Sequence, residues 1–424
     1  MKVLVFNVIY SENLGDGLLA QCLEKVLRRS GNIEVETVDL AGRPDFGTTS
    51  ARRRSALRLL HALPAFARQR AVSHALRSKL RTLAREWDEK IASADAIVLG
   101  GGNLFQDDDL NFPLKIGTLL DCVRRSGKPL AIFAVGVARD WSPQAHALFQ
   151  QVDDTNLVYL SVRDEASRYN WQNHFAAAPE PSVVPDPGFL AAQLVGAGSM
   201  VAASAQTYVV GICVTDPLIL ARHSGKRRTP ICMRTTKEYV QLIRLLITRG
   251  HPVRLFCNGA REDQAFAERI FLDPRLARFR TTEALQLFVR PRTPAELLGI
   301  LRSTSVILAH RLHACIAAYA LGIPHVGIGW DQKVSSFFRS VWRDGFFADD
   351  RGTTPEQLAF LLEWAVESGI DHSDRTASLT AAQDAVRELG NRLLSCTVKD
   401  GLKANDRGLI AIRQNDEPIL LARN

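Results

Sequence analysis

The sequence predicts an α/β protein made of two Rossmann-like, doubly wound domains that face each other across a cleft. Three observations predict it. Short apolar, often β-branched runs alternate with helical stretches along most of the chain, the pattern of parallel strands buried on both faces. The alternation breaks in an Ala/Gly/Ser-rich stretch ending near Gln206 and then starts over. The 424 residues, 46% of them hydrophobic, suit two cores of about 200 residues each better than one. The expected division is a first domain over 1–190 with a basic helical insertion at about 50–90, a linker at 191–206, a second domain over 207–398 and a tail at 399–424.

Val3 to Ile9 reads as the first buried strand, and a helix closed at Gly31 follows it. Between them Gly15 and Gly17 flank Asp16, so backbone can approach a ligand closely there. Asp16 itself could accept from ligand hydroxyls, act as a base, or simply cap the helix. Glu34 to Leu40 is the second strand. Composition then shifts to arginine and leucine from Arg52 to Lys90. Within that insertion Val72, Leu76, Leu80, Leu83, Trp87 and Ile91 recur at three and four, which leaves Arg77, Lys79, Arg81 and Arg85 off the apolar stripe of an amphipathic helix. Those cations form a solvated face or, in a sharper reading, let helix 72–91 rest on an anionic membrane surface.

Ala94 to Leu99 is the next strand, and it runs into LGGGNLFQDDD. Three glycines at 100 to 102 leave the backbone bare at a strand end, where ligands of open α/β sheets bind. Gly101, Gly102 and Asn103 are therefore candidates for one wall of a site. The dinucleotide fingerprint is absent, since the third spaced glycine is missing and no helix begins at once. The run Asp107 to Asp109 either meets a polar ligand or is a solvated loop.

Lys128 to Gly136 and Asn156 to Val162 supply two more strands, the second ending at Arg163. A guanidinium at a strand end binds carboxylate or phosphate in a fixed fork, or pairs with its neighbour Asp164 or Glu165. Ser182 to Val184 leads to Pro185-Asp186-Pro187-Gly188 and the linker. The second half repeats the pattern: strands at Tyr208 to Val214, Pro252 to Cys257 and Leu285 to Val289, with helices at Glu238 to Thr248, Glu262 to Phe271 and Pro294 to Leu301. Val306 to Ala309 is then a buried strand and Ala314 to Leu321 a helix stopped by Gly322 and Pro324. Arg311 and His313 fall at that strand-to-helix joint, beside backbone N–H groups without intrahelical partners, which is a ready anion site. His310 reads as structural. Lys333 stands alone downstream, and helices follow around Glu356 to Ser368 and Thr376 to Leu394.

A formal charge of +8 suits an acidic partner. Nucleic acid is not the expected one, because neither a C-x-x-C finger nor an RNP-like aromatic motif occurs. Seven cysteines without paired spacing fit reduced thiols. The residues after Met1 are wrongly flanked for a signal peptide, and no segment approaches the roughly 20 apolar residues of a membrane span. The expected location is cytoplasmic, peripheral at the inner face of the membrane.

Gly15-Asp16-Gly17, LGGGNLFQD, SVRDEAS, the Pro-Asp-Pro before the linker, and above all RLHACIAAYALGIPHVGI with a lysine after it resemble the polysaccharide pyruvyl transferase family. The resemblance implies a fold similar to B-type glycosyltransferases and a phosphoenolpyruvate donor, with no other cofactor and no metal. It also implies a sugar or lipid-linked oligosaccharide acceptor and a pyruvate ketal on a cell-surface or exopolysaccharide glycan. Carried over residue by residue, it places Arg163, Arg311, His313 and Lys333 in the donor site; by residue chemistry the two arginines and the lysine suit the carboxylate and phosphate, and His313 the general acid or base. Asp16, also a catalytic candidate, would orient the acceptor with Gly15, Gly17, Gly101, Gly102 and Asn103. This chain departs from the family pattern at His310, where a small or apolar residue is expected, at Trp330 in place of tyrosine, in the first loop, and in the arginine-rich insertion. Two other readings compete. One is a B-type glycosyltransferase with a nucleotide-sugar donor, its ribose held by Glu262 or Asp263. The other is a non-catalytic glycan- or anion-binding protein on the same scaffold.

Overall fold

The computed structural model describes residues 1–47, 64–176, 179–196, 207–223, 231–348 and 352–413. Most of the linker expected at 191–206, the start of the insertion (48–63) and the end of the tail (414–424) lie outside the described residues.

The first half runs β1 (Lys2–Asn7), α1 (Leu14–Arg29), β2 (Glu34–Asp39), α2 (Ala65–Ala92), β3 (Ala96–Phe105), α3 (Asn111–Ser126), β4 (Leu130–Val137), α4 (Pro143–Phe149), β5 (Leu157–Val162), α5 (Glu165–His174) and β6 (Ser182–Val183). Its sheet is parallel, in the order β2-β1-β3-β4-β5-β6. The second half runs β7 (Val210–Val214), α6 (Pro217–His223), α7 (Thr236–Thr248), β8 (Val253–Cys257), α8 (Arg261–Phe271), α9 (Ala277–Thr281), β9 (Leu285–Leu287), α10 (Pro294–Arg302), β10 (Val306–Ala309), α11 (Leu312–Leu321), β11 (His325–Ile328), α12 (Gln332–Ser340), β12 (Phe347–Ala348), α13 (Pro355–Ser368) and α14 (His372–Arg413). Its sheet is also parallel, in the order β12-β11-β10-β7-β8-β9. Strand order reverses between β1 and β3 in one sheet and between β7 and β10 in the other. A crevice opens at the carboxyl ends of the strands at each such switch point.

Period-two alternation decides what covers each sheet. Val3 and Val5 of β1 pack with Leu18, Leu23 and Val26 of α1, in an apolar cluster that continues into the second domain. Leu4 and Phe6 face the other way, against Leu83, Trp87 and Ile91 of α2. Phe6 and Trp87 meet edge to face at 5.5 Å. Burying each such side chain contributes about 1.5–3 kcal/mol. The amphipathic reading of α2 is thus visible in the structure, with Leu80, Leu83, Trp87 and Ile91 inward and Arg77, Lys79, Arg81 and Arg85 exposed. Every residue of α11 is buried, His313 included, and all but that one and Tyr319 are apolar or small.

Two elements differ from their sequence-based reading. β3 does not end at Leu99 but continues through the glycines to Phe105. Gly101 and Gly102 take positive φ (75° and 84°), and the pairing with β4 loses register after Gly102. Glycine permits that irregularity, so the strand bends instead of stopping. The last helix is also longer than Thr376 to Leu394, running from His372 to Arg413 into the expected tail. Ala382, Val386, Leu389 and Leu393 are buried along one face of it. Gly390 lets this helix approach α1, where an added Cβ would lie 3.2 Å from Ser30. Near its other end Arg375 donates to the carbonyls of Tyr319 and Ala320, closing the C-terminus of α11. The helix therefore seats on both domains.

Candidate active site

At the β7/β10 switch point, Arg311 is the N-cap residue of α11, and no side chain caps the helix there. Its Nη2 donates to Asp263 Oδ2 at 2.5 Å, while Asp263 Oδ1 accepts the Asp216 N–H at 2.8 Å. Asp263 comes from the first turn of α8 and is fully buried. Burial opposes the charge on Arg311, but the Asp263 carboxylate outweighs it and holds the guanidinium pKa above its ordinary value. Asp16, across the cleft on α1, adds to that effect. Arg311 Nε is buried with no partner, a donor left over for something else. With Asp263 committed to Arg311, one of the two carboxylates considered for a ribose is already in use.

His310 is structural. Its Nε2 lies 3.1 Å from the Cys232 carbonyl, its own carbonyl accepts from Trp330 Nε1 at 2.6 Å, and burial pushes its pKa down to about 4. The Trp330 indole N–H is thus satisfied by a backbone acceptor at position 310, while the His310 ring is held separately by the Cys232 carbonyl.

His313 projects from the first turn of α11 to the opposite domain. A Cβ placed on Gly15 of α1 would stand 2.5 Å from both Cβ and Nδ1 of His313. Its Nε2 faces Asp186 Oδ2 at 3.7 Å. Asp186 ends the first domain, in the segment Pro185-Asp186-Pro187-Gly188, where its Oδ1 accepts the Gly188 N–H at 2.8 Å. Burial alone would raise the Asp186 carboxyl pKa, but His313, Arg163 and the Gly188 N–H together hold it below its ordinary value.

Arg163 lies at the end of β5 with its side chain only 5% exposed. Nη2 donates to Asn103 Oδ1 at 3.3 Å and Nε to Asp164 Oδ2 at 3.3 Å. Gly136 of β4 makes the room: a Cβ there would meet Arg163 Nη2 at 2.7 Å and Asn103 Oδ1 at 2.5 Å. Lys333 pairs with Asp331 at 2.9 Å and lies over the Trp330 ring, 4.9 Å from its centroid. Burial opposes ionisation of Asp331, but Lys333 and, from the other domain, Arg163 lower its pKa. Arg163 thus shares acidic neighbours with both His313 and Lys333.

The first-domain residues divide. Gly15 and Asp16 lie at the cleft, with Asn13 Nδ2 donating to Asp16 at 3.3 Å. Gly17 instead serves packing, as its Cβ would strike the Ile9 carbonyl at 2.7 Å. Gly101 and Gly102 have Leu19 of α1 as their nearest side chain, at 3.6 and 3.7 Å from an added Cβ. Asn103 is committed to Arg163 and Gln106. The acidic run builds its own turn. Asp107 accepts from the Leu110 and Ser142 N–H groups, Asp108 from Asn111, and Asp109 pairs with Arg68. The domains are pinned together beside this site. Leu14 N–H donates to the Asn258 carbonyl at 2.9 Å, Asn258 Nδ2 donates to Asn13 Oδ1 at 2.5 Å, and Gly259, at φ 99°, leaves no room for a Cβ against Leu14.

Asp186 and Gly136 were not singled out as site residues by sequence reasoning. For Asp186 the signal was present, a carboxylate locked between two prolines at a domain end. Gly136 sits inside an apolar strand and gives none.

Two doubly wound domains with a charged cleft between their switch points give the fold of B-type glycosyltransferases. UDP-GlcNAc 2-epimerase from Methanocaldococcus jannaschii is similar in fold, with a TM-score of 0.52 and 10% identity over 92% of this chain and 99% of that one. So is Glycyrrhiza uralensis UGT73P12 complexed with glycyrrhetinic acid 3-O-monoglucuronide, with a TM-score of 0.50 and 10% identity over 98% and 100% of the two chains. A putative UDP-N-acetylglucosamine 2-epimerase from Listeria monocytogenes also superimposes, with a TM-score of 0.50 and 10% identity over 93% and 94%. Among curated proteins none matches the chain. The chain belongs to the polysaccharide pyruvyl transferase family, whose model matches residues 13–332 and so contains Asp16, Arg163, Arg311 and His313, with Lys333 one residue beyond.

Proposed function

We propose that this protein transfers the enolpyruvyl group of phosphoenolpyruvate to two hydroxyls of a sugar or lipid-linked oligosaccharide. The product would be a pyruvate ketal on a cell-surface or exopolysaccharide glycan. The observation that carries the reading is the cation set at the α11 N-terminus: Arg311 with its unused buried Nε, and His313 facing Asp186 of the first domain at 3.7 Å, with Arg163 acting on that carboxylate through space. Phosphoenolpyruvate brings a carboxylate and a phosphate, and arginine stays protonated against both.

In this scheme Arg163, Arg311 and Lys333 hold the anionic groups. His313, as imidazolium, gives a proton to the methylene carbon, and the adjacent carbon becomes oxocarbenium-like. The first sugar hydroxyl adds its oxygen there and returns its proton to His313. The carbon–oxygen bond to phosphate breaks with its electron pair leaving on phosphate. A second hydroxyl then closes the ring and its proton goes to the departing phosphate. One donor and one diol give one ketal and one phosphate. Asp16, with the glycine segment behind it, orients the acceptor. Proton transfer of this kind is worth about 10² to 10⁴ in rate.

The exposed Arg77, Lys79, Arg81 and Arg85 of α2 support a further part of the reading, contact with an anionic cytoplasmic membrane face that delivers a lipid-linked acceptor. Among the described residues no helix is long and apolar enough to cross a membrane.

Mass spectrometry of a candidate glycan after incubation with phosphoenolpyruvate tests donor and reaction together, the expected result being pyruvyl addition with release of phosphate. Thermal shift separates the donors: a ligand at 100 times its dissociation constant stabilises by about 2.7 kcal/mol. Stabilisation by UDP or GDP and not by phosphoenolpyruvate would overturn the proposal in favour of a nucleotide-sugar transferase.

A further inference from the structure

His313 Nε2 and Asp186 Oδ2 are both buried and neither makes a hydrogen bond. They face each other at 3.7 Å, about half an ångström beyond the longest ordinary N–H···O bond. Buried polar atoms are rarely left without partners, and here each is the other's nearest remedy. Asp186 cannot easily turn away. Its Oδ1 is held by the Gly188 N–H at 2.8 Å and prolines stand on either side of it. Arg163 adds a positive charge that favours its ionised form.

An ionised carboxylate only accepts hydrogen bonds, so a bare ring lone pair pointing at it would be repelled. The other ring nitrogen, Nδ1, is the one that faces Gly15. Arg163, just past β5, acts on the pair through Asp186, and Arg311 stands two residues before His313 at the start of α11.

We propose that Asp186 is a positioning residue for His313. Its carboxylate fixes the ring hydrogen on Nε2 and leaves Nδ1, toward Gly15, as the nitrogen that exchanges a proton with the bound ligand. The ligand's identity rests on the pyruvyl-transfer reading; the pairing itself does not. Since Asp186 ends the first domain and His313 belongs to the second, the pair is formed by both domains together.

The test uses the full chain with ¹⁵N-labelled histidine, the His313 ring signals being assigned by their loss in His313→Gln. Neutral His313 is expected to carry its hydrogen on Nε2. In Asp186→Asn, which keeps an oxygen for the Gly188 N–H but loses the charge, the ring should become mixed or reversed in tautomer. That variant should also lose about 10² in kcat with little change in KM for phosphoenolpyruvate, and Asp186→Glu should recover part of the loss. An Nδ1–H tautomer in the wild type, or an unchanged tautomer in Asp186→Asn, would overturn the pairing. Failure of the wild type to form a ketal while the tautomer result holds would instead overturn the reaction and leave the pairing standing.

Discussion

Gly15 and His313, from different domains, are in such close contact that a methyl group on the glycine would stand 2.5 Å from the histidine ring. Gly15→Ala must therefore move either α1 or the ring. Overpacking of this kind costs about 1–3 kcal/mol. The expected outcome is a modest fall in melting temperature with a far larger fall in turnover, read by thermal unfolding alongside a phosphate-release assay. Full activity in Gly15→Ala would show that the contact has no part in the site.

His313→Ala should keep the fold and lower turnover by about 10² to 10⁴. Circular dichroism and single-turnover product formation check the two halves. A variant retaining more than about a tenth of the wild-type rate would remove His313 as acid or base.

Gly136→Ala acts on Arg163 without touching its charge, because the new Cβ would lie 2.7 Å from Nη2. The guanidinium is displaced from Asn103, so KM for phosphoenolpyruvate should rise several-fold in both Gly136→Ala and Arg163→Lys, since lysine lacks the planar fork. Donor titration by initial rates decides it.

Asp263→Asn leaves Arg311 as a buried cation without its counter-ion, a change that costs about 3–5 kcal/mol. Urea unfolding should show that loss directly. Donor binding should weaken with it, as the guanidinium is no longer anchored.

His310 and His325 make stability depend on pH. Burial lowers their folded pKa values to about 4 and about 3, from an ordinary 6.5. Between those limits the unfolded chain binds the extra protons, so stability is complete above about 6.5 and falls as pH drops toward the folded values. The two sites together contribute a slope on the order of 2 kcal/mol per pH unit near pH 5. Urea midpoints measured from pH 7.5 to 5 should decline accordingly, and a flat profile would contradict the burial of these rings.

Replacing Arg77, Lys79, Arg81 and Arg85 together should abolish salt-sensitive binding to anionic liposomes while leaving the melting temperature within a degree or two, because all four are exposed. Binding that survives the change would end the membrane role of α2.

The two-sheet architecture was legible because parallel strands buried on both faces spell themselves out as apolar runs, as in Val306 to Ala309. The stripe on α2 was legible by the same logic of period. What escaped were features set by contact across sequence distance. Asp263 meets Arg311 across 48 residues, and Asp186 meets His313 across the domain boundary. The GGG segment read as a strand terminus because glycine usually interrupts pairing. Here β3 tolerates the positive φ values and carries on to Phe105, which brings Asn103 to Arg163. The acidic run read as a solvated loop or a polar-ligand contact, whereas Asp107 and Asp109 tie the turn to Ser142 and to Arg68 of α2.

The long final helix has a mechanical corollary. Fastened to the end of α11 through Arg375 and nested on α1 at Gly390, it runs past the cleft like the spine of a book whose covers are the two domains. Covers bound to a spine swing but do not slide. Any widening of the cleft that keeps both fastenings has to be a rotation about that axis, with the edge farthest from the helix opening most.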